Sequence, residues 1–372
     1  MLLRLALTVG LALTLVTGAT TVSHAQGDAV VNVVRPSVTG EPAVGATLTA
    51  DPGEWTPGGA TYAYQWLRDG VPIAGADRHR FQPRPKDVLH ELSVRVTASS
   101  PGSTDGEATS EAVSVHRGTL VLQDRPTIDG VRRLGRTLVA RPGSWDRRPD
   151  TVRYQWLRGG TVIAGARGVR HRLVLADFGR RISVRVTAVK DGYGRARATS
   201  VETKPIGHRV PVRHVVRYHV ETRGDVSADV GVFKRQAQQT YDDPRGWRGS
   251  GIRFRRVASG GAFTLVLAEA SQLPRFSSGC SAEWSCRVGR FVIINQTRWL
   301  HASPMWHQVH RSLRDYRHMV VNHETGHWLG WDHRSCPGNG APAPVMQQQS
   351  KGLDGCRANP WPTAAERNVP RF

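Results

Sequence analysis

"VVNHETGHWLGWDH", Val320 to His333, places three histidines, a glutamate and a glycine at fixed offsets within eleven residues. Upstream, Val309, Leu313, Tyr316 and Val320 recur at steps of 4, 3 and 4, the period of one buried helix face, and His323 and His327 continue the stripe. Residues four apart on a helix lie about 40° apart and one turn along, so the two imidazoles converge on a common point with Glu324 beside them. His333 cannot join them from the same helix, because ten further residues at about 1.5 Å each carry it about 15 Å away. The helix must therefore end first. Gly330 is the residue type that enters the left-handed region most easily, and a turn there returns His333 to the other two.

Three neutral imidazoles suit one Zn²⁺ per chain and leave a fourth position open. Bound zinc activates water near neutral pH, and a carboxylate at Glu324 is placed to take the proton as that water attacks a polarised carbonyl. Structural or surface histidines are the plain alternative for a bare HExxH, but the longer frame narrows it. His301, His307, His310 and His318 fall outside the frame and read as ordinary surface or core histidines.

"HETGHWLGWDH" resembles HExxHxxGxxH, the zinc signature of the metzincin metallopeptidases, a group that also carries a downstream Met-turn. The resemblance implies that Met346, in "APAPVMQQQS" thirteen residues after His333, is the Met-turn methionine. The region from about Val215, with "YDDPRGW", "HETGH" and "PVMQQQSKGLDGC", resembles more narrowly a secreted actinobacterial family of metzincin-like proteins without a known substrate. It covers somewhat under half the chain. The resemblance implies a twisted sheet with an active-site helix, a zinc endopeptidase acting on protein or peptide substrates, and one strand that borders the cleft. "RFVIINQTRW" is the expected bordering strand. No tyrosine follows Met346 by two residues, so the extra tyrosine ligand of some metzincins is not expected.

The remaining chain supplies context. "MLLRLALTVGLALTLVTGATTVSHAQ" has a basic residue, an apolar run and small residues at Ser23 and Ala25, and reads as a signal peptide over residues 1–25. Export to the cell envelope or beyond follows, with no membrane span after cleavage; a retained anchor is the alternative. "YQWLRDGVPIAGA" from Tyr64 returns as "YQWLRGGTVIAGA" from Tyr154, and "LSVRVTA" from Leu92 returns as "ISVRVTA" from Ile182, all offset by ninety residues. Alternating segments between Gly and Pro clusters argue for strands, and the repeat length suits an immunoglobulin-like sandwich. The repeats resemble bacterial Ig-like modules, over 26–117 and 118–206, with Trp66 and Trp156 as core tryptophans. The expected fold class is two all-β Ig-like sandwiches followed by an α+β metzincin-like domain over 207–372. Within that domain "VVRYHVE", "GIRFRRV" and "AFTLVLAE" read as strands, and "SADVGVFKRQAQQTYDD" as a helix opened by Ser227.

All four cysteines, Cys280, Cys286, Cys336 and Cys356, lie in this last segment. In an exported chain an even count favours disulfides, with three connectivities open. Cys280–Cys286 with Cys336–Cys356 is the favoured one, and its second bridge would enclose Met346; a second metal site is the alternative. The net charge of +21 is uneven: −3 over 26–117, +12 over 118–206 and +11 over 207–372. The basic second repeat is a candidate surface for an anionic cell-envelope polymer, against a dispersed arginine-rich surface as the plain alternative. No nucleic-acid-binding motif is present. Two rival functions remain open in the sequence: an envelope-binding protein with a structural zinc domain, and a hydrolase of non-peptide acyl bonds. "NQT" at Asn295 fits a glycosylation sequon, whose use is not expected in a bacterial chain.

Overall fold

A computed structural model describes residues 28–372; residues 1–25, expected from the sequence to be a signal peptide, lie outside the described residues. Two compact units emerge. Of the described residues, the first holds those up to Val121 with Arg147–Thr151 and Ala188–Ala196, and the second holds Leu122–Asp146, Val152–Thr187 and Arg197–Phe372.

Each repeat builds a β-sandwich. In the first, Ser37–Thr39, Leu48–Asp51 and Arg80–Phe81 form one antiparallel sheet, while Thr61–Arg68 and Glu91–Ser99 are the long strands of a five-stranded one. Trp66 is fully buried, stacks on Phe81 from the other sheet and donates its indole N–H to the carbonyl of Arg78 at 2.9 Å. The second repeat reproduces this. Leu138 and Ala140 of one sheet pack with Trp156, Ile182 and Val184 of the other, and Trp156 donates to the carbonyl of Gly168 at 2.9 Å. The repeats lack cysteines, and a buried ion pair recurs in both: Arg68 with Asp87, and Arg158 with Asp177, each aspartate having 0% exposure. Breaking one partner of such a pair strands a buried charge, so both members are needed.

The C-terminal part is a mixed sheet with helices on one face. Its strands are β1 (His214–Arg223), β2 (Ile252–Arg256), β3 (Phe263–Ala268), β4 (Cys286–Val288) and β5 (Phe291–Asn295), in the spatial order β2-β1-β3-β5-β4. The first four in that order run parallel, and β4 is an antiparallel edge. β3 is buried along its whole length, as a strand covered on both faces should be. One face, with Tyr218, Phe254, Leu265 and Val292, packs against helices α1 (Val230–Asp242) and α4 (Leu313–Trp328). The opposite face, with Val266 and Ile293, is covered by the Ala270–Arg275 turn and Cys280.

The structure differs from the sequence reading at three elements. Helix α1 opens at Asp229, whose carboxylate accepts the Val232 N–H at 2.9 Å; Ser227 lies outside the helix start, and its N–H and hydroxyl both donate to Gln296 Oε1 at 3.0 and 3.4 Å. "RFVIINQTRW" is not the bordering strand. Only Phe291–Asn295 is extended, and β5 lies inside the sheet between β3 and β4. The Asn295 side chain stops it by accepting the Thr297 N–H at 2.9 Å, which opens helix α2 (Gln296–His301). Asn295 itself has 0% exposure and donates to the Ala282 carbonyl, so the sequon is inaccessible in the folded chain. Finally, Val309 is not on α4. It caps the short α3 (Pro304–Gln308), and α4 starts three residues after His310 (φ 51°), with the Ser312 hydroxyl accepting the Asp315 N–H at 3.0 Å.

Candidate metal centre

Helix α4 ends as the sequence requires. Gly330 has φ 94°, its N–H donates to the His327 carbonyl at 3.1 Å, and the Trp331 N–H donates to the Gly326 carbonyl at 3.0 Å. This is the paired hydrogen bonding of a Schellman cap, which needs a left-handed residue at Gly330. The chain then doubles back, and the Arg334 N–H donates to the carbonyl of Met346 at 3.1 Å.

The turn brings the three histidines together. His327 Nε2 lies 3.2 Å from His323 Nε2 and 3.2 Å from His333 Nε2. Among the described residues, no other group of three or more His, Cys, Asp or Glu is placed to share an ion. His323 Nδ1 donates to the Val345 carbonyl at 2.8 Å, and His327 Nδ1 donates to the Trp331 carbonyl at 2.8 Å. A carbonyl can only accept, so in the neutral rings the protons sit on Nδ1 and the Nε2 lone pairs face one another. Burial favours the neutral rings. It pushes the His323 imidazolium down to about 3, aided by His327 and opposed by the bond to Val345, and it lowers His327 and His333 as well.

Glu324 is 5% exposed, and burial raises its carboxyl to about 8. It lines a cleft of about 660 Å³ together with the three histidines, Tyr316, Met319 and the 348–351 segment. Edge strand β4 contributes Cys286 and Arg287 to the same cleft. The bordering strand is therefore β4, the other arm of the same hairpin and one strand earlier than expected.

Met346 lies against helix α4 at Gly326, with 0% exposure. A Cβ on Gly326 would collide with its sulfur and would come within 3.0 Å of Trp247, so glycine is what lets Met346 approach. The turn is pinned by a residue the sequence reading missed. Buried Glu366 accepts the Met346 N–H at 2.9 Å and the Val345 N–H at 3.1 Å, and Thr363 donates to it from both N–H (2.7 Å) and hydroxyl (2.8 Å). "TAAE" at 363–366 is a capping box, and that pattern was the available signal. Val345, held from one side by Glu366, orients His323 from the other.

The cysteines pair as favoured, Cys280 with Cys286 and Cys336 with Cys356, and the second bridge encloses Met346 in sequence. Of the histidines outside the frame, His318 is buried and shares a hydrogen bond with the Thr240 hydroxyl at 2.9 Å, while His307 bonds the His301 carbonyl at 2.6 Å. They stand apart from the triad.

Residues 186–363 match a family described as a protein of unknown function (DUF3152), a segment that includes the histidine triad, Glu324, Met346 and all four cysteines. No curated protein sequence matches the chain. Among solved structures, similarity is found to the three N-terminal domains of the bacteriophage RB49 Highly Immunogenic Outer Capsid protein, at 16% identity over 52% of this chain and 66% of that one, with TM-score 0.23. A two-domain fibronectin type-III segment of chicken tenascin matches at 17% identity over 45% of this chain and 99% of its own, with TM-score 0.25. The amphioxus IgVJ-C2 molecule matches at 16% over 47% and 98%, with TM-score 0.22.

Proposed function

We propose that the C-terminal region is a metzincin-like zinc endopeptidase, exported by the 1–25 segment and preceded by two Ig-like modules. The observation that carries this reading is the convergence of three Nε2 atoms, with Glu324 lining the same cleft.

The donor set fits zinc. Metal–nitrogen bonds of about 2.0–2.1 Å at a tetrahedral angle separate two donor nitrogens by about 3.3–3.4 Å. The two spacings of 3.2 Å agree with that. Without a cation, the Nε2 lone pairs of His323 and His327 would face each other with no proton between them, an unfavourable contact that a shared ion relieves. When bound, zinc supplies Lewis acidity toward a scissile carbonyl and toward water. The chain's own groups do the rest. Glu324 takes the proton from the attacking water and returns it to the leaving amine nitrogen, and its burial favours a carboxyl able to carry that proton between the two steps. Strand β4 offers the free backbone groups of its outer edge to an extended peptide, which a sheet edge binds by strand addition. Val345 and Trp331 keep the Nδ1 protons of His323 and His327 in place.

The test is cleavage profiling of the zinc-loaded protein against a mixed peptide library, with a chelated control and metal analysis. About one zinc per chain and chelator-sensitive cleavage of internal peptide bonds are expected. A chain that takes up zinc and cleaves no peptide would overturn the reading.

A further inference from the structure

Arg287 is the central residue of edge strand β4. Its register partner on β5 is Val292, which belongs to the core packed against α4, whereas Cys286 and Val288 pack on the opposite face with Ile293. Alternation along the strand therefore turns the Arg287 side chain toward α4, over the cleft. There its Nε is buried without an acceptor, and no carboxylate pairs with the guanidinium among the described residues. An unpaired guanidinium nitrogen is costly to bury; the residue as a whole is half-buried and lines the cleft, and a guanidinium carries further N–H donors whose planar fork fits a carboxylate in bidentate fashion.

The other charges around the cleft leave this guanidinium without a carboxylate. Glu283 is engaged with Arg298 at 3.3 Å, Glu324 stands beside the histidines, and Asp332 is exposed next to His333 in the chain. Lys351, on the segment that follows Met346, lines the cleft as a second cation; among the described residues no carboxylate pairs with it, and its Nζ is 5.9 Å from the Trp284 ring. An extended peptide laid along β4 passes Arg287 and approaches Lys351.

We propose that the cleft selects peptides with an aspartate or glutamate side chain next to the scissile bond, held by Arg287 with Lys351 in support. This rests on the peptidase reading for its substrate class, but recognition of the carboxylate is a binding event and is tested without turnover. The probes are short alanine-based peptides carrying one Asp or Glu at each position in turn, each matched by its Asn or Gln isostere. They are titrated by fluorescence anisotropy into the full-length, zinc-loaded Glu324→Gln protein. At one or two positions the acid should bind about tenfold or more tighter than the amide, the scale of a charge-assisted pair. Arg287→Gln, which keeps the apolar stem, should bring that ratio close to one, and Arg287→Glu should invert it in favour of Lys-containing peptides. Circular dichroism and zinc content of both variants confirm that the fold is intact. Equal binding of acid and amide peptides by the parent protein, or an unchanged ratio in Arg287→Gln, overturns the proposal. Acid-selective binding that depends on Arg287, in a wild-type chain that cleaves none of these peptides, would sustain the recognition site and sink the peptidase reading instead.

Discussion

Glu366→Gln should damage the proposed metal centre from beneath without touching any of its three histidines. One carboxylate oxygen accepts the Met346 N–H, and the other accepts the Val345 N–H and both donors of Thr363. Glutamine has one acceptor oxygen, so its amide nitrogen must face at least one of these donors. The least harmful flip puts it opposite Met346, losing one charge-assisted bond of about 1.5–3 kcal/mol and weakening the three others to neutral bonds at about 0.5–1 kcal/mol each. The sum is about 3–6 kcal/mol, a large part of a domain's stability. Val345 carries the carbonyl that orients His323, so zinc affinity should also fall, by about 10–100-fold as for loss of a ligand's outer partner. Urea unfolding of the zinc-free chain reads the first effect, and competition with a chromophoric chelator reads the second. Thr363→Ala, which removes only the hydroxyl donor, should cost about 1 kcal/mol. If Glu366→Gln keeps both the wild-type midpoint and the wild-type zinc affinity, the carboxylate does not hold the turn.

Gly326→Ala should destabilise by about 1–3 kcal/mol, since its methyl group meets the Met346 sulfur and Trp247; a thermal midpoint equal to wild type would contradict the packing. Gly330→Val places a β-branched residue at φ 94° and should loosen His333, so zinc affinity should fall while the His323 and His327 single-alanine variants remain the more severe lesions. Chelator competition ranks the three. The zinc-free protein should lose stability in acid: burial lowers His208 to about 4 and His323 to about 3 in the fold, below the ordinary value of about 6.5 expected unfolded. The unfolded chain then binds more protons between the folded and unfolded values, so stability falls as pH drops below about 6.5 and levels off only below the folded values. His208→Gln should flatten part of that slope in urea midpoints measured from pH 7 to pH 4.

How much of this was legible in the sequence depended on whether the signal was local. The histidine frame, Gly330 and the ninety-residue repeat are short-range patterns fixed by helix geometry and strand alternation, and each maps onto a structural feature. The tryptophans at Trp66 and Trp156 were readable for the same reason, since the repeat aligns them. What failed was the choice of bordering strand. Phe291–Asn295 is apolar because it lies inside the sheet, while the strand that borders the cleft is the three-residue β4, too short and mixed to stand out. The Val309 stripe overran the helix start because apolar spacing does not register the break at His310 and the Ser312 cap. For Glu366 the "TAAE" pattern signals only a capped turn, and its link to the site was not legible because it acts through the backbone of a turn twenty residues away.

The central claim is that Glu324 and the three histidines form a hydrolytic site, and Glu324→Gln tests it most directly. The substitution preserves volume and removes the base, and the residue contributes no atom to the histidine cluster. With the zinc-loaded wild type as reference on peptides it cleaves, the variant should keep about one zinc per chain and lose at least about 10²-fold in turnover, the low end for general-base catalysis. A zinc-replete Glu324→Gln protein that cleaves the same bonds at the wild-type rate would contradict the account.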